Sequence, residues 1–172
     1  MNEILPFLYL GNKKDADNLN SLRMHGIRAI VMCCTVFERA NFASMNEFEY
    51  YRVEVEDTSR EPIHLYFVEA CEFIDSFISM KEGVLVHCRA GVSRSAAIVL
   101  SYLIGKKKLR LRESFFHLLS KRHSVCPNIG FMEQLCNFEF EVLGDVSVDM
   151  FKYSDWYTSA AEFRAAVPDL EP

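Results

Sequence analysis

No stretch of this sequence stays apolar for the roughly 20 residues that a membrane-crossing helix needs. Its start, Met1-Asn2-Glu3, has neither the basic opening nor the long apolar run of a secretory leader, and Asn2 stands where myristoylation would need glycine. There is no excess of positive charge: 19 Lys and Arg against 24 Asp and Glu give a net charge of −5. That balance argues against a nucleic-acid partner, whose phosphate backbone calls for a basic surface. Internal repeats and low-complexity segments are also lacking. The six cysteines do not make a disulfide framework, because Cys33 and Cys34 are adjacent and most of the others lie in apolar runs. A soluble protein of a reducing compartment, cytosolic and also nuclear, is expected, with no membrane residence.

What is present is ordinary globular composition, with half the residues hydrophobic and a quarter charged, in a length of 172 that suits one domain and an appendage. Phe7–Leu10 reads as a strand ended by Gly11-Asn12, and Lys14–Met24 as a helix stopped by Gly26. Ile27–Cys34 and Val84–Val86 are short buried strands, and Glu49–Val55 is a partly alternating one. His64–Lys81 places Phe67, Ala70, Cys71, Ile74, Phe77 and Ile78 on one helical face. Ser95–Ile104 is a helix buried on most sides, followed by amphipathic helices at Arg112–Arg122 and Ile129–Leu143. Strands alternating with helices predict an α/β layered fold around a largely parallel sheet. Residues 1–144 form the body, and 145–172 an acidic, aromatic-containing tail that carries −4 of the net charge.

Chemistry concentrates between Val84 and Ser95, in the order strand, tight loop, helix. A loop wrapped at a helix N-terminus directs several backbone N–H groups and the positive end of the helix dipole into one concavity, which suits a phosphate or oxyanion. Gly91 allows a backbone conformation that a Cβ would obstruct. Cys88 lies at the base of that concavity, where converging dipoles favour the nucleophilic thiolate. Arg94, six positions on, can offer a planar fork to two phosphate oxygens, a geometry lysine lacks. The plainer alternative is a buried cysteine beside a structural turn.

His87-Cys88-Arg89-Ala90-Gly91-Val92-Ser93-Arg94-Ser95 resembles the signature of the protein tyrosine phosphatase superfamily, and its Ala-Gly-x-Ser-Arg-Ser ending resembles the dual-specificity branch. Ile4–Asn12 and Pro127–Leu135 resemble the opening strand and the start of the last helix of that branch, so the likeness covers roughly residues 3–143. It implies a central five-stranded mixed, mostly parallel sheet with helices on both faces. It also implies an enzyme that hydrolyses phosphotyrosine and phosphoserine/threonine in proteins through a phosphocysteine intermediate, with no cofactor or metal. On that resemblance Cys88 attacks phosphorus, and the backbone of Arg89, Ala90, Gly91, Val92, Ser93 and Arg94 with the Arg94 side chain holds the phosphoryl oxygens. Ser95 would assist thiolate departure. His87 would orient the loop and help keep the thiol ionised, through backbone contacts rather than as a base.

The mechanism also needs a proton donor to the leaving oxygen, and the candidate is Asp57, after a strand end; the resemblance implies an acid in such a place about thirty residues before the nucleophile, with Glu56 the adjacent competitor. Asn128 is read either as a brace for the phosphate loop or as a plain helix N-cap. The resemblance also makes Cys34 a candidate redox partner, since some members of the superfamily place there a cysteine that forms a reversible disulfide with the nucleophile, against the reading that it is a small buried hydrophobe; Cys126 is a further thiol near the site. The basic run Lys106–Arg112 reads as a solvated turn, with a docking patch for an acidic partner as the alternative. In the tail, Trp156, Ala160, Phe163 and Val167 fall on one helical face, which suggests contact with the protein's own body or a neighbour in a monomer or weak dimer. The beginning of the chain at residue 1 resembles the small, atypical members of the branch. The alternatives are a phosphoinositide or RNA 5′-phosphate phosphatase of the same chemistry, disfavoured because only Arg89 adds a base within the loop, and a non-catalytic phospho-binding protein, disfavoured because Cys88, Arg94, Ser95 and Asp57 are all present.

Overall fold

The protein is described from a computed structural model, over residues 1–35 and 47–166, with side chains described through residue 160. Five strands, β1 (Asn2–Leu5), β2 (Leu8–Gly11), β3 (Ile27–Cys33), β4 (Glu49–Val53) and β5 (Gly83–His87), form one sheet in the order β1-β2-β5-β3-β4. Among the described residues, only β1 runs antiparallel to its neighbour; the other pairings are parallel. The middle strand β5 is buried along its whole length, which its Gly-Val-Leu-Val-His sequence permits because both faces are covered.

Seven α-helices cover the sheet among the described residues: α1 (Lys13–Ala16), α2 (Leu19–Met24), α3 (Phe67–Ser79), α4 (Arg94–Gly105), α5 (Leu111–Lys121), α6 (Ile129–Leu143) and α7 (Met150–Ala166). Leu22 of α2 packs with Ile30, Met32 and Leu85 on one face. On the other face α3, α4 and α6 enclose Phe67, Ile74, Ile98, Leu103 and Phe131. Ser95 through Ile104 are all fully buried, because α4 lies between the sheet and α3, α5 and α6. Truncating a large residue there costs about 2–5 kcal/mol, so the helix that begins at the candidate loop is a fixed post.

Three local expectations change. The opening strand is a hairpin of two, turned at Pro6-Phe7 with Phe7 at φ 70°. The expected helix 14–24 is two helices, because Asn12 and Asn18 each accept a hydrogen bond from a backbone N–H three residues on and so cap separate starts. The helix expected from His64 opens as a 3-10 turn over Ile63–Tyr66 before α3. No helix among the described residues is long and apolar enough to cross a membrane.

The tail begins against the body. Glu139 of α6 is fully buried and accepts from the N–H of Leu111 (2.9 Å), the N–H of Ser147 (2.8 Å) and the Ser147 hydroxyl (2.7 Å). Arg110 pairs with Asp145. The basic run is therefore partly neutralised from within: Lys106 binds Glu72 at 2.5 Å and Lys107 lies 3.9 Å from Asp75. Phe163 lies outside the described side chains, and Val167 outside the described residues.

Candidate active site

Because β2, β5, β3 and β4 are parallel, the residues that follow them emerge at one edge of the sheet. The register sets Gly11 and Met32 level with His87, so Lys13, Cys34, Cys88 and the segment leading to Asp57 gather there. Such an edge, beyond the carboxyl ends of parallel strands, is where α/β sheets place their sites.

Between β5 and α4 the loop Cys88–Arg94 has every one of its carbonyls from 89 to 93 engaged from outside. Lys13 N–H donates to Arg89 O at 3.2 Å, Cys126 N–H to Val92 O at 2.8 Å, and Ala97 N–H to Ser93 O at 2.9 Å. Arg122 supplies the remaining two, Nη2 to Ala90 O at 3.1 Å and Nε to Gly91 O at 2.9 Å, while its Nη1 donates to Asn2 Oδ1 at 2.8 Å. Carbonyls turned outward leave the amides turned inward, toward the concavity in which Cys88 sits. Gly91 is required at φ 70°, and a Cβ there would stand 2.6 Å from the Gly11 oxygen and 2.8 Å from Arg122 Nη2. Burial lowers the pKa of Arg122 from the usual guanidinium value, while the Asp15 and Cys88 charges act the other way.

The Cys88 sulfur, almost fully buried, accepts from Gly91 N–H at 3.2 Å and from the Ser95 hydroxyl at 3.1 Å. Arg94 is also buried; its Nη1 donates to Val55 O at 3.4 Å and its Nε lies 3.9 Å from Asp57 Oδ2. Asp57 Oδ1 accepts from the Ser93 hydroxyl at 2.6 Å and from Asn128 Nδ2 at 2.9 Å. Glu56 is exposed and makes no contact of this kind. Both carboxylates lie beyond the end of β4 at Val53, and of the two it is Asp57 that the Ser93 and Asn128 side chains hold beside the loop.

Asn128 fills both roles left open for it. Its Oδ1 accepts from Phe131 N–H at 3.0 Å and caps α6, its Nδ2 holds Asp57, and its backbone N–H donates to Ser93 Oγ at 3.0 Å. The first turn of α6 needs glycine at its second position, for a Cβ on Gly130 would lie 2.0 Å from Ser59 O in the segment that carries Asp57. His87 is buried, and neither ring nitrogen makes a well-formed hydrogen bond. Burial pushes its pKa down to about 4, only partly opposed by the Cys88 backbone and the Asp17 charge. At neutral pH the ring is uncharged, so it lends no positive charge to the Cys88 sulfur.

All six cysteines are buried thiols. Cys34 and Cys88 line one hollow of about 240 Å³ together with Lys13, His87 and Arg89. Burial, then the Cys88 charge, pushes the Cys33 thiol well up, which keeps it protonated. Cys126 is buried on the turn whose N–H holds Val92. Among the described residues no group of three or more His, Cys, Asp and Glu side chains is placed to hold a metal ion.

Sequence reasoning named Cys88, Arg94, Ser95, Asp57 and Asn128 as candidates, and the structure brings them together. It missed Arg122, the Ser93 side chain and Gly130. Arg122 looked like an ordinary basic helix end, and no local pattern marks it. Gly130 had a weak signal, as a glycine in the first turn of a helix.

Comparison with known proteins bears on the whole body of the chain. The family described as dual specificity phosphatase, catalytic domain, matches residues 8–141. Human dual specificity protein phosphatase 4 is 41% identical over 145 residues, covering 82% of this chain and 35% of that protein. Dual specificity protein phosphatase 1-B of Xenopus laevis is 40% identical over 178 residues, 96% of this chain and 46% of that protein. The chain thus spans between a third and a half of these relatives' length. Among solved structures, a human tyrosine phosphatase-like serine/threonine/tyrosine-interacting protein superposes with a TM-score of 0.79 at 36% identity, covering 83% of this chain and 97% of that one.

Proposed function

The chain belongs to the dual specificity phosphatase family, and we propose that it hydrolyses phosphotyrosine and phosphoserine/threonine monoesters in proteins through a phosphocysteine intermediate. The observation that carries this reading is the loop itself, whose outward carbonyls are all engaged and whose Cys88 sulfur receives two donors. The Cys88 thiolate attacks phosphorus in line with the leaving oxygen; the S–P bond forms as the P–O bond breaks. The inward amides of residues 89–94 and the Arg94 guanidinium meet the charge on the transferring oxygens, already oriented before reaction. Oδ1 of Asp57 carries two hydrogen bonds, which leaves Oδ2 as the oxygen from which a proton would pass to the leaving oxygen. Water then attacks the phosphocysteine, Asp57 takes a proton from it, and the thiolate departs with the Ser95 hydroxyl donating to the sulfur.

Phosphorylated proteins are the proposed substrates and the cytosol or nucleus the proposed location, where thiols such as these six stay reduced. We further propose that Cys34, on the same hollow as Cys88, is the thiol that captures an oxidised nucleophile.

Turnover of phosphotyrosine and phosphothreonine peptides by wild type, Cys88→Ser and Asp57→Asn tests the assignment. Cys88→Ser is expected to lose all turnover while still binding phosphopeptide, and Asp57→Asn to lose about 10²–10⁴-fold in rate. Unchanged hydrolysis in Cys88→Ser overturns the reading, and a wild type that binds phosphopeptide without releasing phosphate would make the chain a binding module instead.

A further inference from the structure

Helix α7 is linked toward the candidate acid through the Tyr153 hydroxyl. Asp149 caps the start of the helix, accepting from the N–H groups of Phe151 (3.0 Å) and Lys152 (3.3 Å). One turn on, Tyr153 is 5% exposed, and its ring stands edge-on to Phe115 with centroids 5.6 Å apart and packs beside Trp156 at 5.5 Å. From that aromatic seat its hydroxyl donates to the Pro127 carbonyl at 2.6 Å.

The Pro127 carbonyl and the Asn128 N–H belong to one planar trans peptide unit, so they point in opposite directions and a force on one end turns the other. At that far end the Asn128 N–H donates to Ser93 Oγ at 3.0 Å, and the Ser93 hydroxyl donates to Asp57 Oδ1 at 2.6 Å. Tyr153 hydroxyl, peptide 127–128, Ser93 hydroxyl and Asp57 carboxylate thus form one relay, with every donor pointing the same way, an order in which each bond polarises the next. The same peptide positions the Asn128 side chain, which supplies the second bond to Asp57.

We propose that Tyr153 is a positioning residue for the general acid: by fixing the 127–128 peptide plane, the C-terminal helix holds Asp57 at the angle from which it protonates the leaving oxygen. This rests on the reading of Asp57 as that acid. The relay ends on Oδ1 and supplies neither of the two donors to the Cys88 sulfur, so its effect belongs to leaving-group protonation. Substrates that expel a poor leaving group depend on Tyr153, and those that expel a good one depend on it far less.

Tyr153→Phe keeps the ring and removes the hydroxyl. In the full chain, with rates normalised to the fraction of Cys88 alkylated by iodoacetate, it is expected to lower kcat/KM on phenyl phosphate about fivefold, the size of one lost buried hydrogen bond. On p-nitrophenyl phosphate, whose leaving group needs less protonation, the loss is expected to be under about twofold. The alkaline limb of the phenyl phosphate pH profile should flatten, and in an Asp57→Asn background Tyr153→Phe should cost nothing further. Normalisation to alkylated Cys88 removes any misfolded fraction from these ratios. Equal slowing on both substrates, or a full fivefold loss persisting in Asp57→Asn, overturns the proposal while leaving Asp57 as the acid. If Asp57→Asn itself slows both substrates equally, the acid assignment fails first and the positioning role falls with it.

Discussion

The proposed nucleophile, Cys88, and the proposed acid, Asp57, sit on segments held in different ways. The loop 88–94 is fixed through its backbone: four of its carbonyls receive donors from outside α4, and the helix that follows is buried throughout. Asp57 is fixed through side chains alone, by the Ser93 hydroxyl and the Asn128 amide, in an exposed segment after the end of β4. The difference suits the chemistry. An oxyanion cradle works by being oriented in advance, whereas a group that gives and then takes a proton needs only to be aimed. The loop is consequently the rigid reference, and the acid is the part that distant residues can tune.

The largest effects should come from breaking each support in turn. Arg122→Ala removes three hydrogen bonds and leaves the Ala90 and Gly91 carbonyls without donors, a loss of about 2–4 kcal/mol in folding stability. Because the cradle binds every substrate, its kcat/KM should fall by the same factor on phenyl and p-nitrophenyl phosphate. Gly130→Ala instead pushes against Ser59 and so displaces the acid segment. It should slow phenyl phosphate several-fold more than p-nitrophenyl phosphate. If the two variants show the same leaving-group dependence, the separation between a fixed cradle and an aimed acid is wrong.

Much of this contrast was readable in the sequence for a physical reason: the loop is contiguous. Strand, glycine, thiol, guanidinium and helix start follow within twelve residues of Val84–Ser95, so a local pattern contains the site. Asp57 was reachable because it follows a recognisable strand. Arg122 and Tyr153 were not, since their meaning lies in partners far away in sequence: Arg122 meets Asn2 and the loop, and Tyr153 meets Pro127. The tail's helical face was read from Trp156, Ala160, Phe163 and Val167; one turn earlier on the same spacing lies Tyr153, which is buried where Trp156 is partly exposed. The hairpin at Pro6-Phe7 was missed because two four-residue strands give too little alternation to separate.

A smaller effect tests the loop's chemistry under oxidation. Under the proposed redox role of Cys34, peroxide would convert Cys88 to sulfenic acid and the Cys34 thiol would condense with it, forming a disulfide and releasing water. Cys33 is the competing neighbour, but burial holds its thiol protonated, which makes it a poor attacker. Peptide mapping after brief peroxide treatment should find Cys34 joined to Cys88, with activity restored by dithiothreitol. Cys34→Ser should lose that recovery without losing basal rate. Recovery undiminished in Cys34→Ser would assign the protection elsewhere.

The smallest effect is on stability rather than rate, and it sits beneath the rigid half of the comparison. His87 is held neutral by burial, with a pKa of about 4 in the folded protein against roughly 6.5 for the unfolded chain. The unfolded state therefore binds a proton that the folded state refuses, and stability falls as pH drops through the interval between those values. From pH 7 to pH 5 the loss from this one ring is about 2 kcal/mol, and above pH 7 the ring adds no slope. Thermal melts of wild type and His87→Asn at both pH values isolate the contribution. The wild type should lose several degrees more than the variant between pH 7 and pH 5. Equal losses would mean that the ring takes up its proton inside the fold, and that the base of the nucleophile's strand is less closed than its burial indicates.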